Sequence, residues 1–187
     1  MTNLTLMSGS SESIPRTAEG AAVNDIDFDS YIGMTTGSGS LVVERAPITQ
    51  FAKAIGDQAE VYRNGDTASA EGFDNVPAPP TFGFSLQNWG KWEELQPAAD
   101  PDQRHPMIEI MGGLMSKGGL VLHGEQSFTY HRPMVAGDRL TFRGQVKDVY
   151  QKPSGDKVMT FLVIEDIYSD EAGSPVLTST MNLIHRS

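Results

Sequence analysis

The sequence predicts an α+β fold, and three observations carry that prediction. Apolar residues recur at helical spacing in the first half of the chain, as at Ile48, Phe51 and Ile55. Beyond residue 119 they alternate or run continuously over four segments, 120–132, 139–150, 157–168 and 175–186. Those segments are divided by Pro-Met-Val-Ala-Gly-Asp, Pro-Ser-Gly-Asp and Asp-Glu-Ala-Gly-Ser clusters, whose residue types favour turns. Helices first and strands afterwards, with short links between the strands, read as a curved antiparallel sheet laid against a helix.

The elements follow in order. Residues 1–25 are rich in small and polar residues and lack apolar periodicity, so they read as a flexible tail ahead of one domain over residues 26–187. An early strand is expected near 39–45. Over 46–57, Ile48, Phe51 and Ile55 mark one face of a helix; Pro47 suits its first turn and Gly56 the position just past its end. Residues 58–80 are polar and finish in Val76-Pro77-Ala78-Pro79-Pro80, whose prolines forbid a helix interior or a central strand. Thr81 then reads as the N-cap of a second helix, with Phe82, Leu86 and Trp89 along one side. Residues 96–107 read as an exposed loop. The four strands come last, as a meander with the most continuously apolar stretch, Val158–Ile167, at its centre.

Charge and composition exclude several functions. The 187 residues include 14 Lys and Arg against 24 Asp and Glu, a net charge of −10. That balance repels nucleic-acid phosphates and anionic membrane surfaces, although a local patch can still grip an anionic ligand. There is no cysteine, which rules out disulfides, thiolate catalysis and cysteine-bound metals. No apolar run approaches the roughly 20 residues that cross a bilayer. Met1–Ser13 lacks the basic start and apolar run of a secretion signal, so the expected location is the cytoplasm.

One strand-like stretch, Val121–Pro133, holds residues that are costly to bury without partners. Simple alternation puts His123, Glu125, Ser127, Thr129 and His131 on one side of it. Either that side is solvated, or it touches something the chain handles chemically. Gly124 weakens a strand and often marks close approach by another backbone or a ligand, and histidine is the commonest proton carrier near neutral pH. His105 reads as surface, His131 as structural, and nothing singles out His185. No histidine pair or adjoining carboxylates have metal-ligand spacing, so no metal is expected. The chain also lacks a nucleophile elbow and a glycine-rich phosphate loop, and no cofactor is implied. Asp57, after Gly56, reads by itself as a turn carboxylate.

Several stretches together resemble the MaoC-like dehydratases, especially the type named for its N-terminal dehydratase domain. They are Phe51–Asp57, Ala78–Phe82, Val121–Gln126, His131–Pro133 and Ala136–Asp138. Leu122–Gln126 and Asp148–Gly155 are similar to the N-terminal half of two-hot-dog type-2 enoyl-CoA hydratases. The resemblance spans residues 28–186 and implies a hot-dog fold, a sheet wrapped around a central helix. It implies an acyl thioester of coenzyme A or acyl carrier protein as ligand, and reversible loss of water from a (3R)-hydroxyacyl to a trans-2-enoyl thioester. That chemistry needs a base for the C2 proton, an acid for the departing C3 hydroxyl and a backbone donor for the enolate oxygen. If this chain is itself catalytic, His123 is the base and Asp57 the carboxylate. Tyr62, Pro80, Thr81, Phe82, Glu125 and Gln126 then surround the substrate, with amides near Thr81 and Phe82 as oxyanion donors.

The chain also departs from the family's active pattern, Asp-x-Asn-Pro-x-His. It reads Asp57-Gln58-Ala59-Glu60-Val61-Tyr62, and a tyrosine with a pKa of about 10 is a poor base at neutral pH. Such a gap resembles the N-terminal halves of two-domain enzymes and the non-catalytic subunits of heterodimeric dehydratases. It implies a homodimer or heterodimer of hot-dog subunits in which the partner supplies the dyad. Two other readings stay open: a non-catalytic thioester-binding or scaffolding module, and a thioesterase, since a fold does not fix a function.

Overall fold

The computed structural model describes residues 27–86, 95–97, 106–116 and 118–186. The expected tail over 1–25 lies outside the described residues. Five strands form one antiparallel sheet: β1 (Thr35–Val42), β2 (Leu120–Tyr130), β3 (Arg139–Ser154), β4 (Lys157–Ser169) and β5 (Pro175–Arg186). Among the described residues, three α-helices accompany them: α1 (Arg45–Ala54), α2 (Gly65–Ala70) and α3 (Pro106–Met115).

The sheet order is β1-β3-β4-β5-β2. The apolar stretch at Val158–Ile167 is therefore central, with Thr160, Phe161, Leu162 and Ile164 buried within it. The expected four-strand meander is corrected to three strands, β3 to β5, because β2 lies beyond β5 and not beside β3. The link after β2 is too short to look like a crossover, yet it does not turn back as a hairpin. It pairs with the proline-rich segment instead, through Ala78 N–H to the Met134 carbonyl at 2.8 Å and Ala136 N–H to the Val76 carbonyl at 2.8 Å. Arg132 fixes this crossing by a two-point ion pair with Asp138, at 2.8 and 3.2 Å, and Asp138 Oδ2 also accepts the Val135 N–H at 3.0 Å.

Helix α1 forms where the spacing predicts, but one residue of its expected face is wrong. Pro47, Ile48 and Ala52 are buried, whereas Ile55, at the C-cap, is exposed. The helix ends in a Schellman motif: Gly56 adopts φ +77°, its N–H reaches the Lys53 carbonyl, and the Asp57 N–H reaches that of Ala52. Strand β1 begins earlier than expected, in Thr35-Thr36-Gly37-Ser38-Gly39-Ser40, where no alternation signals a strand; pairing with β3 makes it one.

The second expected helix is also corrected. Thr81 adopts the left-handed conformation, φ 73°, and makes no side-chain cap; a single 3₁₀ turn, Phe82–Phe84, follows. Residues 87–94, including Trp89, lie outside the described residues. The end of the expected 96–107 loop instead opens α3, whose Ile110 and Leu114 are fully buried. These two pack with Val146, Val149, Leu162, Ile164 and Leu183 from the inner face of the sheet. A second apolar cluster, including Ile48, Val76, Phe82, Tyr168 and Leu177, lies where α1 and the proline-rich segment meet the sheet.

Candidate functional site

Strand β2 is an edge strand, and most of its residues are exposed. Its pairing with β5 is interrupted: His123 pairs with Leu183, but Gln126 pairs with Met181. Three steps on β2 thus match two on β5, which is a β-bulge. Cross-strand partners share a face, so His123, Gln126, Phe128 and Tyr130 all stand on the inner, helix-bearing side. The expected grouping of His123 with Glu125, Ser127 and Thr129 is overturned by that extra residue. Alternation from the sequence assumes an unbroken register, and Gly124 is where it breaks. A Cβ there would lie 2.7 Å from Ile184 Cδ1 and 3.1 Å from the Asn182 carbonyl oxygen. The close approach marked by Gly124 is that of the neighbouring strand.

The 3₁₀ turn Phe82–Phe84 lies against this inner stretch. Phe84 meets the His123 ring edge-on, with centroids 5.4 Å apart and planes at 90°. The turn can sit so close because residue 83 is glycine: a Cβ there would lie 2.5 Å from Leu177 Cδ2 and 3.4 Å from the Phe128 ring. Thr81 N–H donates to the Tyr130 hydroxyl at 3.1 Å, and Phe82 N–H donates to the Pro79 carbonyl at 3.1 Å. Both amides expected to hold an enolate oxygen are therefore already engaged. Burial raises the Tyr130 pKa, and the Thr81 amide partly opposes it. Thr81 is strained, since a β-branched residue rarely adopts positive φ. The clamp from Tyr130 is one interaction that holds it there. Pro80 is exposed beside it. Gln126 is positioned from below, its Nε2 donating to Ser179 Oγ at 2.9 Å.

Asp57 and Tyr62 form a separate group at the end of α1. Asp57 Oδ1 accepts the Ala59 N–H at 2.9 Å, and its carbonyl accepts from the Arg63 guanidinium at 3.1 Å. Tyr62 packs against the apolar cluster of α1, and Thr49 Oγ1 donates to its carbonyl at 3.0 Å. Burial raises the Tyr62 pKa, with the Asp57 and Glu71 carboxylates adding to it. Among the described residues, no hydrogen bond or ion pair joins Asp57 to His123. Along the inner side of β2 the structure thus sets Phe84 on His123 and Tyr130 on Thr81, with Asp57 and Tyr62 in a separate place. The contact of Phe84 with His123 was not legible, because only the turn at Thr81 and the bulge bring the two rings together.

The other histidines have structural settings. His131 Nε2 lies 3.0 Å from Thr178 Oγ1, and the buried His185 bonds the Gly118 carbonyl through Nε2 at 2.8 Å. His105 lies outside the described residues. No group of three or more metal-binding side chains occurs among the described residues, and none of their helices is long and apolar enough to cross a membrane.

The two edges of the sheet differ. At β1 the Gln96 side chain imitates a strand: its Oε1 accepts the Val42 N–H at 2.9 Å while its Nε2 donates to the Val42 carbonyl at 3.0 Å and to Glu44 at 2.8 Å. At β2, Leu120, Leu122 and Tyr130 are exposed.

Residues 30–179 match the family model described as a FAS1-like, dehydratase domain region. The chain is 34% identical over 145 residues to a UPF0336 protein of Streptomyces avermitilis, covering 78% of this chain and 85% of that one. It is similar to a crystal structure of a C-terminally truncated HadBC (3R-hydroxyacyl-ACP dehydratase) complex from Mycobacterium tuberculosis. The TM-score is 0.62 at 19% identity, over 82% of this chain and 96% of that one. The ChsH1–ChsH2 complex of the same organism gives 0.61 at 20% identity, over 81% and 83%. The shared fold is the hot-dog fold.

Proposed function

Because this chain belongs to the FAS1-like dehydratase domain family, we propose that it is one hot-dog unit of a (3R)-hydroxyacyl-thioester dehydratase, or trans-2-enoyl-CoA hydratase. The observation that carries this reading is strand β2, a long exposed edge with His123 and Gln126 on its inner side. An edge of that kind is a template for another strand, and the opposite edge is partly closed by Gln96. A second hot-dog unit pairing along β2 brings its own residues beside His123, Gln126 and Phe84, and covers polar groups that are exposed in the single chain. Both of the similar crystal structures, HadBC and ChsH1–ChsH2, are complexes.

In this reading the thioester, on coenzyme A or acyl carrier protein, lies between the two units. Catalysis needs a base that is unprotonated near pH 7. Tyr62 fails that requirement, and its raised pKa moves it further away. The partner chain therefore supplies the main dyad, and Glu125, Gln126 and the Pro80–Phe82 turn shape the substrate site. If this chain is self-sufficient, as a homodimer, His123 is the base and Asp57, from the neighbouring copy, is the carboxylate. A binding module without turnover is the second reading, favoured by Ala59 and Tyr62 in the places of Asn and His.

The test follows loss of trans-2-enoyl-CoA absorbance with the purified chain and with a co-expressed neighbouring hot-dog chain. Turnover only with the partner supports the assignment. Turnover by the chain alone that collapses in His123→Ala and Asp57→Asn supports the self-sufficient form. Binding without turnover in either sample leaves the binding module, and release of free thiol identifies a thioesterase.

A further inference from the structure

The outer face of the sheet, away from the helices, carries an apolar row that runs across four strands. Tyr150 pairs with Phe161, Phe161 with Ile184, and Ile184 with Leu122. Cross-strand partners share a face, and the alternate residues Val149, Leu162 and Leu183 are those buried against α3, so this row points outward. The next row is Lys152, Met159, Arg186 and Leu120; the row on the other side begins with Asp148, Val163 and Asn182.

This end of the face is unusually apolar for a surface in contact with water. Leu120 is 55% exposed and Leu122 44%. Tyr150 and Phe161 stack at 4.8 Å with planes 6° apart, and the Lys152 ammonium lies 5.2 and 5.3 Å from their centroids. Lys152 thus lies over both rings, and Phe161 is 9% exposed. Charge is arranged by position: Lys152 and Arg186 stand on one side of the row, Asp148 on the other. Glu125, pushed out by the bulge, follows Leu122 at the level of Asn182 and so belongs to the acidic side.

We propose that this face is a self-interface, on which a second copy of the chain packs sheet to sheet about a two-fold axis running along the Tyr150–Phe161–Ile184–Leu122 row. Rotation about that line exchanges residues two places before the row with residues two places after it. Lys152 of one copy then faces Asp148 of the other on the same strand, and Arg186 faces Asn182, while the apolar row meets itself. A purely acidic partner would meet Asp148 and Glu125, and a purely basic one Lys152 and Arg186; a rotated copy satisfies both ends. The contact uses side chains of four strands and is separate from backbone pairing along β2. Because Leu120 and Leu122 reach that edge, two edge-paired units would present one continuous apolar face.

Sedimentation equilibrium of the full chain tests the assignment, using wild type, Lys152→Glu, and Lys152→Glu combined with Asp148→Lys. Lys152→Glu sets like charges opposite each other and raises the dissociation constant of one association step about tenfold or more. The double variant restores opposite charges and returns that constant close to the wild-type value, which a folding defect would not do. The same mass for all three proteins overturns the proposal, as does a single variant that the second change does not rescue. Loss of a different co-purifying protein from Lys152→Glu would assign the face to that partner and also overturn it.

Discussion

Gly83→Ala probes whether close packing of the Phe82–Phe84 turn holds the site together. The added Cβ lies 2.5 Å from Leu177 Cδ2 and 3.4 Å from the Phe128 ring. A leucine methyl can often move away, but Leu177 is fully buried in the same cluster as Phe82. Overpacking of such a core costs about 1–3 kcal/mol. Against it stands the lower entropy of an unfolded alanine, about 0.4–1 kcal/mol, which is available because Gly83 does not have positive φ. Overpacking wins, leaving a net loss of about 1–2 kcal/mol. For a chain of this size that lowers Tm by about 3–6 °C. Thermal unfolding by circular dichroism measures it, and on the function proposed above any hydratase turnover should fall as well, because Phe84 moves relative to His123. Leu177→Val removes the group that is struck, so the double variant should be less unstable than the two single losses added together. A Gly83→Ala protein as stable as wild type, or more so, would refute the packing argument and show that the turn rests loosely on the sheet.

Two further outcomes follow from the same physics. Asp138→Ala breaks the ion pair to Arg132 and strands the Val135 N–H; the site is only partly shielded from water, so the expected cost is about 2 kcal/mol, read from the urea midpoint. Tyr62 and Tyr130 both have raised pKa values in the folded chain, by burial first. The unfolded phenols ionise earlier, near pH 10, so their contribution is complete below that pH and is lost as pH rises through the folded values. Urea melts between pH 9 and about 11.5 should show that decline, and Tyr130→Phe should make it shallower.

What could be read without coordinates was governed by local physics. Pro47, Ile48 and Gly56 define α1 because a proline, an apolar spacing and a left-handed glycine each act within a few residues. Val158–Ile167 announces a central strand because both of its faces must be apolar. The resemblance placed the family, and the hot-dog fold agrees with it. The site was much less legible. Asp57-Gln58-Ala59-Glu60-Val61-Tyr62 shows which side chains are present, but not that Asp57 is turned toward its own loop. Alternation placed His123 beside Glu125, and one extra residue, matched to Leu183 and Met181 on β5, moved it beside Gln126 and Phe84.

The sequence by itself determined the class of the fold, the family, and a polar strand on an acidic chain without cysteine. Tertiary structure decided that β2 crosses to the far edge, that Met-Gly-Gly-Leu within α3 is helical, and that Thr81 turns left-handed instead of capping a helix. Each of those outcomes depends on residues far apart in the chain: Val76 with Ala136, Leu114 with the sheet, and Thr81 with Tyr130. Short-range propensity is worth a few tenths to about 1 kcal/mol per residue, and burying a single leucine or phenylalanine is worth about 1.5–3 kcal/mol. Where the two disagreed, the long-range contacts prevailed.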